Sequence, residues 1–519
     1  MPTFCNVKRN TYFDSVTLMI ISNQLKEIDG AAEVLAGMAT DLNKELAENL
    51  GLMTSDIRAL EANDFFLAVQ AHDAAVFTEV TQTLETLLKK KSSSETGDYR
   101  PPTTASAVRN LPQANIAVIS LPGQYAAAEA EKALDEGLHV MLFSDGVSLA
   151  DELRLKQKAH EKGLLVMGPD CGTAILGGTA LCFANAVRRG KIGIVGASGT
   201  GIQEVSTLID KFGGGVSHAI GTGGRDLKAE IGGIMMLDAI DALGKDEGTE
   251  VLVIISKPPA AEITAKIFDK LRTVPKKVVV HFLGSDEMED ADFTFGKSLE
   301  DTACKAVLLA EGKEPEDFVG FTAPLAEIDR TVEAQAAKLG ETQPYLRGLY
   351  SGGTLAYEAL LLLAAEGMDC YSNIPLKSEY KLENAAVSRE NTIIDFGEDE
   401  FTVGKPHPMI DATSRQEAIL KEAADPTVGI ILFDVVLGYG AHENIAGEMV
   451  SAIQKARTQY AAEQREIVFV GFVCGTEGDR QGLEKSESLL RESGVVVFPS
   501  NAQAVRFAQK LLEAKKAGG

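Results

Sequence analysis

The turn Gly196-Ala197-Ser198-Gly199-Thr200-Gly201 follows an apolar run, Ile192–Val195, and opens a stretch with helical spacing. Unpaired amide hydrogens and the helix dipole at such a terminus attract an anion. Gly199 and Gly201 let the backbone come close to a ligand, and the hydroxyls of Ser198 and Thr200 can donate to it. No Walker lysine is present, so this is not an NTPase loop. The plainer alternative is a capped strand-to-helix turn without a ligand. Ser351-Gly352-Gly353-Thr354 repeats the same logic far along the chain. Gly221-Thr222-Gly223-Gly224-Arg225-Asp226 adds a cation that can grip a carboxylate or phosphate with two parallel hydrogen bonds.

Lys405-Pro406-His407-Pro408 is unusual because prolines hold the histidine in a stiff, extended segment. Lys405 and His407 can bind an anion or move a proton near neutral pH, unless the segment is only a rigid turn with a structural histidine. Lys257, in Ser256-Lys257-Pro258-Pro259, can face a cleft or simply sit where prolines stop a strand. Cys171 reads as a buried thiol rather than a nucleophile. No His or Cys spacing suggests a metal site, and none is expected.

These turns need strands and helices to aim them. Residues 1–90 alternate as strand and helix: Phe4–Val7, Ser15–Lys26, Ala32–Ala39, Leu42–Leu50, Phe65–Gln70 and Ala74–Lys91. A small α+β domain is expected there. Lys89–Thr104, with its lysines, serines and paired prolines, reads as a linker. Strands at Ile116–Ser120, His139–Phe143 and Leu164–Met167 alternate with helices, which implies a parallel sheet. Their carboxyl ends carry Ser120, Pro122-Gly123 and Ser144-Asp145-Gly146, where such sheets bind ligands. A second α/β unit runs from about 190 to 310. A third begins near 345, with strands at Thr392–Phe396, Val428–Phe433, Ile467–Val473 and Val495–Phe498. GIVGASGTGIQEVSTLI and GLYSGGTLAYEALLLL echo each other, either by duplication or by chance likeness between glycine turns.

Among 519 residues, 50 Lys and Arg face 75 Asp and Glu, a net charge of −25 that disfavours nucleic-acid or anionic-membrane surfaces. The chain is 45% hydrophobic and 24% charged, ordinary for a globular protein and unlike a disordered one. Six scattered cysteines fit reduced thiols, and a cytoplasmic location is expected. No run is long enough to span a membrane.

EKGLLVMGPDCGTAI, RRGKIGIVGASGTGIQE, GTGGRDL, ISKPPA, YSGGTLAYEA, FTVGKPHPMID and LFDVVLGYGAH together resemble the FdrA family across essentially the whole chain. That family is similar in fold to succinyl-CoA synthetases. The resemblance implies an α/β protein of tandem nucleotide-binding, flavodoxin-like parallel sheets after the small α+β domain. It implies a CoA-binding-like domain at 108–189, an α-subunit-like ligase domain at 190–310 and a β-subunit-like ligase domain at 345–519. The phosphohistidine of succinyl-CoA synthetase belongs after Val278–Leu283, where this chain has GSDEMEDADFTFGKS and no histidine. Its acidic partner belongs near Ser256–Pro259 and is also missing, as is an ATP-grasp domain.

What remains is a pair of anion cradles. The family is associated with allantoin and purine nitrogen breakdown, with one member implied to be a subunit of an oxamate carbamoyltransferase. The expectation is thus a carbamoyltransferase subunit acting on carbamoyl phosphate, oxamate or oxalurate. It requires no cofactor, assembles with companion subunits, and is expected to be oligomeric. Ser198, Gly199, Thr200, Gly201, Gly223, Gly224, Ser351, Gly352, Gly353 and Thr354 would hold the anion, with Arg225, Lys405 and His407 catalytic. The alternative is an acyl-CoA synthetase or CoA-binding regulatory subunit that holds CoA at Ser120, Gly123, Ser144 and Asp145. A scaffold subunit without activity is the third class.

Overall fold

The computed structural model describes all residues but 10, 12, 14, 93–100, 286–289, 462–464 and 519. The chain forms two compact units, one of residues 1–100 with 399–406, the other of 101–398 with 407–519.

The smaller unit contains β1 (Thr3–Lys8), α1 (Ser15–Lys26), β2 (Ala31–Met38), α2 (Asp41–Asn49), α3 (Ser55–Arg58), β3 (Phe65–Ala71) and α4 (Ala74–Ser92). Its antiparallel sheet has the order β1-β3-β2. The alternation of side chains along a strand builds a layer on each face. Phe65, Leu67 and Val69 join Leu18, Leu25 and Val80 from α1 and α4. Phe66 and Ala68 join Ala47 and Ile57 from α2 and α3.

The larger unit opens with α5 (Thr104–Asn110). A parallel sheet of β4 (Ile116–Ile119), β5 (His139–Leu142) and β6 (Val166–Met167) follows, connected by α6 (Gly123–Asp135) and α7 (Leu149–Lys162). A hairpin of β7 (Thr173–Leu176) and β8 (Thr179–Cys182) comes next. It was not expected, although Gly177-Gly178, both at positive φ, is the turn such a hairpin uses.

The second sheet is built from β9 (Arg189–Gly196), α8 (Gly199–Lys211), β10 (Val216–Gly221), α9 (Ile234–Lys245), β11 (Val251–Ser256), α10 (Ala261–Arg272), β12 (Lys277–Phe282), β13 (Thr294–Phe295) and α11 (Leu299–Ala310). Its order is β13-β12-β11-β9-β10-β7-β8. After α12 (Leu325–Ala336), the third sheet uses β14 (Tyr345–Tyr350), α13 (Gly353–Ala365), β15 (Tyr371–Ser372), β16 (Thr392–Asp395), α14 (Asp399–Thr402, in the smaller unit's segment), α15 (Thr413–Ala424), β17 (Val428–Val436), α16 (Ile445–Ala461), β18 (Val468–Cys474), α17 (Leu483–Glu492), β19 (Val496–Phe498) and α18 (Asn501–Gly518). Its order is β15-β16-β14-β17-β18-β19.

The two larger sheets share one plan. The first parallel strand of each, β9 or β14, lies between parallel strands that follow it in sequence, so strand order reverses there. Ligands bind such sheets at the carboxyl ends beside that reversal. β9 and β14 are also the strands that lead into the two expected glycine turns. Central strands are buried on both faces, as in β17, which is buried throughout and apolar but for Asp434. One core joins both sheets, with Ile194, Val205 and Leu208 beside Leu355, Leu360 and Leu432.

Candidate functional site: two helix ends that meet

The turns after β9 and β14 touch. Ser198 Oγ lies 2.5 Å from Thr354 Oγ1, both side chains being buried. Ser198 also caps α8 by accepting the amide hydrogen of Gly201 at 3.0 Å. Gly352 is needed for the approach, because a Cβ there would stand 2.6 Å from Thr200 Cγ2. α13 starts at Gly352 without a side-chain cap, so its first amides keep donors to spare. Gly199 is exposed, and Thr200 and Gly353 are half-buried.

Ser351 faces inward instead. Its amide donates to Asp434 at 2.9 Å and its hydroxyl at 3.0 Å, and Asp434 pairs with the buried Arg415 at 2.8 Å. Asp395, at the end of β16, is in register with Tyr350 and so flanks the same turn from the other side. Its backbone is held on both edges by the amide of Asn373. Its carboxyl accepts from Gly397 through Oδ1 at 2.8 Å and lies across the start of α13, where a Cβ on Gly353 would collide with Oδ2. Burial pushes this acid up to about 7, with Glu398 and Asp434 adding to the shift.

His407 Nε2 and Asp395 Oδ1 line one small space, each about 3 Å from where a Cβ on Gly397 would stand. Burial lowers His407 to about 4, so it is neutral at pH 7. Its Nδ1 accepts the amide hydrogen of Met409 at 3.2 Å, which leaves the ring proton on Nε2.

Behind the turns, Asn501 ties the two helices together. Its amide donates to Glu204 of α8 at 3.1 Å, and its side chain donates to Glu358 of α13 at 2.8 Å. Tyr350 donates its hydroxyl to Asn501 Oδ1 at 3.1 Å. Burial raises Glu204 to about 7 and also raises Glu358. Each glutamate stands four residues after the threonine of its turn, which gives the sequence echo a spatial counterpart.

Other expected residues lie elsewhere. Arg225 donates to Val147 O at 2.7 Å and pairs with the buried Glu152 at 2.9 Å. Gly223, at φ +85°, packs its backbone 2.5 Å from Pro169 O, measured from an added Cβ, while Gly224 is open. Lys405 belongs to the segment of the smaller unit. Lys257 stands 5.0 Å over the Tyr357 ring. Cys171 is buried and pushed up to about 12, an unreactive thiol. Around β4 and β5, Gly123 leaves no room for a Cβ beside Gly146 O at 2.6 Å. α6 starts at Pro122 with no side-chain cap, Ser120 and Asp145 are exposed, and Ser144 is buried, accepting from Leu121 at 2.8 Å. The open helix start and close backbones fit the phosphates of CoA. The segment that stands where succinyl-CoA synthetase carries its phosphohistidine begins at Gly284, beside Tyr357 and Leu361 of α13, and 286–289 lie outside the described residues.

Comparison with known proteins fits this architecture. Family models match residues 349–511 (CoA-ligase), 187–284 (CoA binding domain) and 1–103 (AllF, heavy metal-associated domain). The uncharacterized protein YahF of Escherichia coli K12 is 44% identical over 509 residues, 98% of each chain. The chain belongs to the FdrA family. The chain thus combines succinyl-CoA synthetase-like CoA-binding and CoA-ligase domains with an AllF-type domain. The alpha subunit of succinate–CoA ligase from Aquifex aeolicus is 33% identical over 170 residues, 30% of this chain and 54% of that subunit. ATP citrate lyase from Methanothrix soehngenii, solved with citrate and coenzyme A, covers 80% of this chain and 85% of its own at 13% identity. Its TM-score is 0.34.

The heavy-metal description does not fit the residues present. Cys5 is the one cysteine in 1–103, and its neighbours are Thr54 Oγ1 at 3.5 Å and Asp56 Oδ2 at 3.6 Å. No group of three His, Cys, Asp or Glu that could hold a metal occurs among the described residues. No described helix is long and apolar enough to cross a membrane.

Proposed function

We propose that this chain is a subunit of a carbamoyltransferase of the oxamate carbamoyltransferase type, serving allantoin and purine nitrogen breakdown. It interconverts oxalurate and phosphate with oxamate and carbamoyl phosphate, without a bound cofactor, in the cytoplasm and with companion subunits in an oligomer. The observation that carries the reading is the 2.5 Å contact between Ser198 and Thr354, which focuses two helix starts on one point. The AllF-type domain supports the pathway, and the missing phosphohistidine argues against the succinyl-CoA synthetase relay.

In the reaction, a phosphate oxygen bonds to the carbamoyl carbon of oxalurate. The bond from that carbon to the oxamate nitrogen breaks, and the proton of hydrogen phosphate ends on that nitrogen. Amides and hydroxyls of Ser198–Gly201 and Gly352–Thr354 hold the charge that builds on the phosphate and the carbamoyl oxygen. His407 donates through Nε2, and the work is mostly positioning and electrostatics. Ser351 serves this reading by anchoring its turn on Asp434.

The test assembles the chain with its companion subunits and measures carbamoyl phosphate formed from oxalurate and phosphate. The Ser198→Ala, Thr354→Ala double variant should lose about a hundredfold in rate, in line with lost oxyanion donors. Full activity of that variant removes the site. The second reading, an acid–CoA ligase or CoA-binding regulatory subunit, is favoured by the CoA-binding and CoA-ligase family models. Ser120, Gly123, Ser144 and Asp145 would then hold CoA, whose thiol supplies the acyl acceptor. Micromolar CoA binding by calorimetry, lost on changing Gly123 to a larger residue, would favour it.

A further inference from the structure

Most of the site consists of donors, yet one acid points into it. Asp395 is 2% exposed, and among the described residues its Oδ2 has no hydrogen-bond partner. That oxygen lies across the uncapped start of α13, where a Cβ on Gly353 would stand. Asn373 holds the Asp395 backbone, and the Gly397 amide holds Oδ1 at 2.8 Å, so the carboxyl turns away from the helix start only by giving up that bond. An anion bound at this helix start would meet a second negative charge unless Asp395 carries a proton.

We infer that Asp395 is the proton-carrying acid of this anion site: protonated, it donates from Oδ2 to the bound anion, and in turnover it passes its proton to the leaving nitrogen. The inference rests on the carbamoyl-transfer reading for the second half only. The proton given to the oxamate nitrogen is replaced by the one that hydrogen phosphate releases when its oxygen bonds to carbon, so the carboxyl ends the cycle as it began. Groups facing Asp395 pull in both directions. Asp434 on β17 and Glu398 disfavour its charge, while Lys257 after β11 favours it. His407 faces it as a neutral ring.

The experiment is calorimetric binding of sulfate to the full chain from pH 6 to pH 8.5, in buffers of different ionisation enthalpy. Sulfate does not titrate over that range, so any proton taken up enters the protein. We expect almost no uptake at pH 6, approaching one proton at pH 8.5, with affinity falling about tenfold per pH unit at the alkaline end. Asp395→Asn should bind sulfate with no uptake and no such slope, and its circular dichroism should match the parent. Sulfate binding to the parent chain without proton uptake overturns this inference and leaves the anion site standing. Failure of both sulfate and oxamate to bind removes the site and this inference together. Uptake that persists in Asp395→Asn also overturns it.

Discussion

His407 shows how surroundings reassign a residue. Its spacing between prolines suggested a group that shuttles protons near neutral pH. In the fold it is buried, lowered to about 4, and fixed as the Nε2–H tautomer by the amide of Met409. We therefore expect it to act as a neutral donor. His407→Gln, which keeps an N–H near the same place, should retain most of the affinity for oxamate. His407→Ala should weaken it by about 1.5–3 kcal/mol, the value of a hydrogen bond to a charged group. Neither effect should vary between pH 6.5 and 8.5, and calorimetry at three pH values reads both. A parent affinity that tracks a histidine titration, absent in His407→Gln, would contradict the assignment. Ser198, Thr200 and Thr354 were legible because turn chemistry is local. Asp395 takes no role from the sequence, because an aspartate ending a strand looks like any other until its neighbours are known.

At the scale of elements, the helices and strands followed from apolar periodicity. Ser15–Lys26 and Phe65–Gln70, for instance, match α1 and β3 to within a residue. What the sequence could not reveal is the clamp behind the site, since Asn501 and Glu204 are 297 positions apart. No local pattern encodes such a bond. The clamp makes stability depend on pH. Glu204 holds its proton in the fold up to about 7, against 4.5 ordinarily. The folded state thus binds more protons than the unfolded chain between these values. The contribution of Glu204 is complete below pH 4.5 and is lost as pH rises towards and through 7. Glu204→Gln keeps an acceptor for the Asn501 amide and should flatten this loss. Urea midpoints at pH 5, 6 and 7.5 should spread less for the variant than for the parent, the difference approaching about 3 kcal/mol, while Asp395 and Glu300, also raised to about 7 by burial, keep their share of the slope. Parallel curves for the two proteins would show that Glu204 is ionised in the fold.

For the whole molecule, the question is how many parts unfold separately. The two large sheets repeat one strand plan, and their first helices meet at Ser198 and Thr354, so the sequence echo corresponds to a matched pair of turns. Yet they do not stand as independent domains. A single apolar core runs from Ile175 and Ile194 through Leu355 and Leu432 to Leu512, and Lys211 of α8 donates to Val473 O and Pro499 O at 2.9 Å. The smaller unit has cores of its own, drawn from residues such as Leu18, Phe65 and Leu67. Cooperative units follow contiguous cores. Denaturation of the full chain should therefore give two transitions, with the larger unit's the steeper because it exposes more surface. Leu67→Ala should shift only the shallow transition, by about 2–5 kcal/mol, and Leu432→Ala only the steep one by a similar amount. Hydrogen exchange read by mass spectrometry assigns each transition to its peptides. If peptides of β9–β13 and β14–β19 lose protection at separate denaturant concentrations, the shared core does not bind the sheets together, and the paired turns form by docking rather than by folding.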